Sequence, residues 1–172
     1  MNRKIVTAAL LAGTIALAGC KKEPPESLPP DPVPQTDTGP AIDPNAGIAS
    51  GPGTQSHFES AVNGQNVIYF DTDRYNIDSA DAAALQTQAQ YLAQYPQVSI
   101  TIEGHADERG TREYNLALGE RRANAAKNYL VGIGVAAARV RTVSYGKERP
   151  VALGSNEQAW AQNRRAVSVV VN

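Results

Sequence analysis

The sequence predicts an α+β domain in which helices pack on a small mixed sheet, in the order β-α-β-α-β(-α)-β. Three stretches carry that reading. "VSITIE", Val98 to Glu103, alternates apolar and polar residues with the period of a half-buried strand. A helical pattern runs unbroken from about Thr111 to Val131 and stops near Gly132 and Gly134. "AVSVVV", Ala166 to Val171, is a β-branched run at the far end of the chain. Strands separated by helices of this length bring the helices onto a face of one sheet.

The remaining elements follow in order. "NVIYF", Asn66 to Phe70, is a short β run that ends in acidic and turn residues. Asp78 or Ser79 is placed to cap a helix whose inner stripe is Leu85, Ala89 and Leu92, and Pro96 ends it. Gly104 closes the "VSITIE" strand. "VRTVSY", Val140 to Tyr145, is a third strand, followed by the turn-rich "GKERP". "NEQAWAQNRR" carries one or two helical turns before the final strand. This domain occupies residues 65–172.

Two segments precede it. Residues 1–19 read as a lipoprotein signal peptide: Arg3 and Lys4, then an apolar run, then small residues. The run from Ile5 to Gly19 is shorter than the roughly 20 residues of a spanning helix. "LAGC", Leu17 to Cys20, resembles the lipobox of bacterial lipoproteins, with Cys20 as the acylated first mature residue. Cys20 is the only cysteine, so no disulfide framework exists. Residues 20–64 form the lipidated cysteine and a proline-rich flexible linker. Nine of the eleven prolines lie between Lys21 and Ser56, with almost no large apolar residue beside them. Such a segment extends to at most roughly 120 Å. The mature chain carries a formal charge of −3 once Arg3 and Lys4 leave with the signal peptide. That balance excludes a polycationic surface for nucleic acid.

One arginine stands out. At 100° per residue Leu118, Ala125, Tyr129 and Ile133 share a face of the long helix, and Arg122 points the same way, whereas Arg121 does not. A buried guanidinium without a partner costs several kcal/mol. Two readings are open: an internal ion pair with Asp107 or Glu103 (or a side chain reaching water), and an anion site that takes a ligand carboxylate through the guanidinium fork.

"IYFDTDRYNI", "TIEGHADERGTREYNLALGERRANAAKNYL", "VSYGKERP" and "NRRAV" together resemble the OmpA-like peptidoglycan-binding domain, and within it the peptidoglycan-associated lipoproteins of the Tol–Pal system. The resemblance covers essentially all of residues 66–171. It implies non-covalent binding of peptidoglycan stem peptides at diaminopimelate, with no cofactor. Carried over residue by residue, it implies a clamp of Asp107 and Arg122. Glu108 and Arg109 occupy the adjoining loop positions, Leu118 the packing position below the ligand, and Asp73 a further ligand-facing position. The residue before Asp73 is often aromatic in these relatives and is Thr72 here. The resemblance also implies contact with TolB and with other Tol-system or outer-membrane proteins, and a role in envelope integrity and cell division. Lys21, followed by Lys22, stands where the resemblance associates aspartate with inner-membrane retention, which implies the outer membrane, with the domain on its periplasmic face.

Catalysis is not expected. His57 and His105 stand apart from each other in the sequence, which does not suit a zinc amidase. No serine or cysteine has an evident base beside it. His105 is expected as a hydrogen-bonded structural residue and Trp160 as packing on the last strand. Tyr114 and Asn115 are expected to brace the loop, and at least one of Asn163, Arg164 and Arg165 to organise the sheet end.

Overall fold

The computed structural model describes residues 51–171; the signal peptide, Cys20 and most of the proline-rich segment lie outside the described residues. Four strands form one mixed sheet: β1 (Val67–Tyr69), β2 (Ser99–His105), β3 (Val140–Gly146) and β4 (Arg165–Val171). Their spatial order is β1-β4-β2-β3. β4 runs antiparallel to both β1 and β2, while β2 and β3 are parallel. Four helices accompany the sheet: α1 (Gln55–Ala61), α2 (Ser79–Gln94), α3 (Arg112–Gly132) and α4 (Glu157–Asn163). The architecture is the expected α+β arrangement of helices on a small mixed sheet. Among the described residues no helix is long and apolar enough to cross a membrane.

Helix starts are set by side-chain caps. Asp78 accepts from the Asp81 amide at 2.8 Å, Thr111 from that of Tyr114 at 3.2 Å and Asn156 from that of Ala159 at 3.0 Å. Each satisfies one of the orphan donors of a first turn, worth about 1 kcal/mol. The core joins Leu85 and Leu92 of α2, Ile100 and Ile102 of β2, and Ala123, Ala126 and Leu130 of α3.

Three expectations need correction. The domain does not begin at Gln65: Thr54 caps α1, and Phe58 and Val62 are wholly buried in the core. Gly104 does not end β2, which continues through His105. Glycine is required there because α3 lies against the strand: a Cβ on Gly104 would collide with the Gly119 carbonyl. The buried face of α3 is also rotated from the anticipated one. It holds Asn115, Leu118, Gly119, Arg122, Ala123, Ala126 and Leu130, while Ile133 is exposed. Small residues form its centre because the helix sits so close to β2.

Candidate ligand pocket

The pocket lies beyond the end of β2, where the chain leaves His105 and turns into α3. It is a cavity of about 280 Å³. Of the anticipated residues, Asp73, Asp107, Arg109, Leu118 and Arg122 all line it, joined by Thr72 and Tyr114.

Arg122 sits at the heart of the helix face and is fully buried. It makes no ion pair with Asp107 or Glu103. Its Nε donates to the Arg74 carbonyl at 2.9 Å, Nη1 to the His105 carbonyl at 2.8 Å, and Nη2 to the Asp71 carbonyl at 3.1 Å. It also faces the Phe70 ring at 5.2 Å. Burial, helped by the Arg164 charge, pushes its pKa down to about 10, so it stays cationic at neutral pH. A guanidinium has five N–H groups, and these bonds use three. The arginine therefore ties the β1–α2 loop to the end of β2, and it keeps two N–H groups beyond these bonds on a residue that lines the pocket.

Asp107 is nearly buried and held by its own neighbours. Arg109 grips it as a fork, Nε to Oδ1 at 3.0 Å and Nη2 to Oδ2 at 2.7 Å, and the Arg109 amide adds a bond at 3.1 Å. Arg164 approaches Oδ2 at 3.5 Å. Burial alone would raise the Asp107 pKa, but the Arg109 and Arg164 bonds outweigh it and hold the group below the usual carboxylate range. Asp107 is a fixed anion.

Asp73 forms the opposite lip. Its backbone is left-handed, φ +56°, a conformation that aspartate tolerates better than most residues. Its carboxylate accepts from the Tyr114 hydroxyl at 3.1 Å. Asn115, buried, donates to the Arg109 carbonyl at 2.7 Å and braces the 107–110 loop as expected, whereas Tyr114 braces the β1–α2 loop through Asp73. Thr72 accepts from Arg109 Nη2 at 3.2 Å, which makes this lip of the pocket polar.

Glu108 does not join the pocket lining. Its carboxylate accepts from the Trp160 indole N–H at 3.0 Å. The Arg109 guanidinium lies over the same ring at 4.2 Å. Trp160 therefore clasps the 107–109 loop rather than packing on β4. Lys147 supports that loop from the other side, donating to the Glu108 and Gly110 carbonyls at 3.1 and 2.7 Å. Neither residue was evident in sequence, because Trp160 lies 52 residues from its partner and no local pattern links them. Arg164 does organise the sheet end, bonding the Phe70 carbonyl at 2.9 Å and Glu157 at 2.6 Å. His105 is buried, yet neither ring nitrogen has a hydrogen-bond partner. Burial, with the Arg165 and Arg149 charges, pushes its pKa down to about 4.

Comparison with known proteins accords with this geometry. The OmpA family model matches residues 69–164. The chain is 51% identical over 160 residues to the peptidoglycan-associated lipoprotein of Rhizobium meliloti (strain 1021), covering 93% of this chain and 84% of the relative. It is 54% identical over 125 residues to that of Brucella abortus biovar 1 (strain 9-941), covering 73% of each. The crystal structure of the peptidoglycan-associated lipoprotein from Burkholderia pseudomallei superposes with a TM-score of 0.63 at 49% identity, covering 66% of this chain and 96% of that one. The domain at the C-terminal end, its pocket and these relatives together make the chain a member of the OmpA family, among the peptidoglycan-associated lipoproteins.

Proposed function

We propose that this chain is an outer-membrane lipoprotein that holds peptidoglycan non-covalently, anchored through acylated Cys20 and reaching the wall through its proline-rich segment. Two lipid-borne hydrocarbon signals are what stable membrane attachment requires. The ligand is the diaminopimelate of a stem peptide, and the activity is binding, not catalysis. Contact with TolB, membership of the Tol–Pal system and support of cell division follow from the same family reading.

The observation that supports it is the pairing of opposite fixed charges on one small cavity: Asp107 and Arg122 both line it. An amino-acid centre brings an ammonium and a carboxylate together. Asp107, with Asp73 nearby, suits the ammonium; the uncommitted N–H groups of Arg122 suit the carboxylate. A plain amine engages only the carboxylate side of the pocket and a plain acid only the Arg122 side, so each forgoes half of the contacts, and that difference is the source of selectivity. Arg109 closes the Asp107 side and Leu118 supplies the apolar floor.

A competition assay on purified sacculi tests this. A soluble stem peptide with free diaminopimelate should release the bound protein. The same peptide with the side-chain carboxyl amidated should not. Equal competition by both would overturn the clamp, and absence of binding to sacculi would overturn the function.

A further inference from the structure

A second cavity, of about 340 Å³, opens between the end of β1, the start of α2 and α4. Its wall includes Asp71, Asp78, Asp81, Tyr69, Phe70 and Arg164. We infer that this cavity is a binding site for a primary alkylammonium group, with the Asp81 carboxylate as its anchor.

Asp81 carries the argument. It is only 7% exposed, and one of its oxygens is already used: Oδ1 accepts from the Tyr69 amide at 3.1 Å. Oδ2 is buried with no hydrogen-bond partner among the described residues. A buried acceptor left in that state costs about 1–3 kcal/mol, more when it is charged. A donor entering the cavity would recover that energy.

The surrounding charge selects a cation. Asp71, Asp78 and Asp81 have no salt-bridge partner among the described residues, and the one cation on the wall, Arg164, is spent on Asp107 and Glu157. The positive end of α2 offsets roughly half a charge, which three carboxylates exceed. Burial, reinforced by the Asp78 charge beside it, holds the Asp81 pKa above the usual carboxylate range. An ammonium relieves both effects. A metal ion fits less well: the described residues contain no group of three ligands placed to hold one. Tyr69 and Phe70 on the wall suit an alkylammonium, since aromatic rings attract the cationic head and pack against the alkyl chain.

The site does not depend on the diaminopimelate reading, since it shares no lining residue with the pocket that contains Arg122. Its test is an amide chemical-shift titration of the processed full-length protein in detergent micelles with n-butylammonium chloride. Sodium chloride at equal ionic strength and n-butanol are the controls. Saturable shifts are expected at the amides of Tyr69 and Asp81, absent with both controls. Asp81→Asn keeps the acceptor for the Tyr69 amide and should weaken binding about fivefold or more. Asp78→Asn keeps a good helix cap and should weaken it less. Equal shifts with sodium chloride, unchanged affinity in Asp81→Asn, or shifts confined to Asp107 and Arg109 would overturn the site. Adding a soluble stem peptide separates two sources of the amine. Displacement of butylammonium from the Tyr69 amide assigns it to the wall peptide, and simultaneous binding assigns it to a free amine; either upholds the site.

Discussion

Three backbone carbonyls converge on Arg122, and that convergence changes what its removal does. Arg122→Ala strands all three acceptors and leaves a cavity beside Phe70. Urea denaturation should show a loss of about 3–5 kcal/mol. Lysine should recover only part, because an ammonium lacks the planar fork. Arg121, exposed one residue away, should cost less than about 0.5 kcal/mol when changed to alanine. His105 gives a pH dependence. Its folded pKa of about 4 lies below the 6.5 of an unperturbed imidazole, so the unfolded chain takes up the proton first. The stability it confers is complete above pH 6.5 and is lost as pH falls toward 4, by about 3 kcal/mol in total. Unfolding free energies measured across that window should lose this slope in His105→Leu. The prominence of Arg122 was legible from helical spacing alone. Its partners were not: carbonyls carry no sequence signature, so the only partners that sequence could name were Asp107 and Glu103.

Among the elements, α1 and the β2–α3 contact show most clearly where sequence reading runs out. α1 has seven residues and lies directly after a proline- and glycine-rich stretch. Its faint signal is Thr54 as a cap and the i, i+4 pair Phe58 and Val62. Composition outweighs that signal, so the sequence places the domain start ten residues late. Phe58→Ala should cost about 3–5 kcal/mol in chemical denaturation, and a chain that starts at Gln65 should unfold at lower temperature than one that starts at Gly51. α2 and the strands were legible because their apolar periods are strict and their caps conventional. The exact face of α3 was not, since Gly119 has no side chain and alanines occur around the helix, at Ala117, Ala123, Ala125 and Ala126, so they do not single out one face. Gly119, Ala123 and Ala126 matter as absences of side chain. Gly104→Ala therefore should destabilise by about 3 kcal/mol or more, with α3 forced off the sheet; a calorimetric scan would show it.

At the scale of the whole molecule the proposed anchor and the folded domain are separable. Cys20→Ala should move the protein from the membrane fraction to the soluble periplasmic fraction while its thermal midpoint stays unchanged, because the described domain begins well after the cysteine. Removing residues 24–50 should impair wall attachment in cells without altering the affinity of the isolated protein for sacculi, if that stretch sets reach. The placement of the two ends then acquires a mechanical meaning. Gly53 lies beside Val98, just before β2, and its amide reaches the Tyr91 hydroxyl at 3.4 Å. The pocket begins just after His105, at the other end of the same strand. Seven residues of strand separate them by about 23 Å. Gln55 also fastens α1 to β4, accepting from the Val170 amide at 2.7 Å. Tension between the lipid and the wall would therefore run lengthwise along β2 and β4. Their mutual hydrogen bonds lie crosswise to that pull. On the proposed function they would be loaded together in shear rather than unzipped one at a time, so a pull on the anchor would meet its highest resistance within the domain.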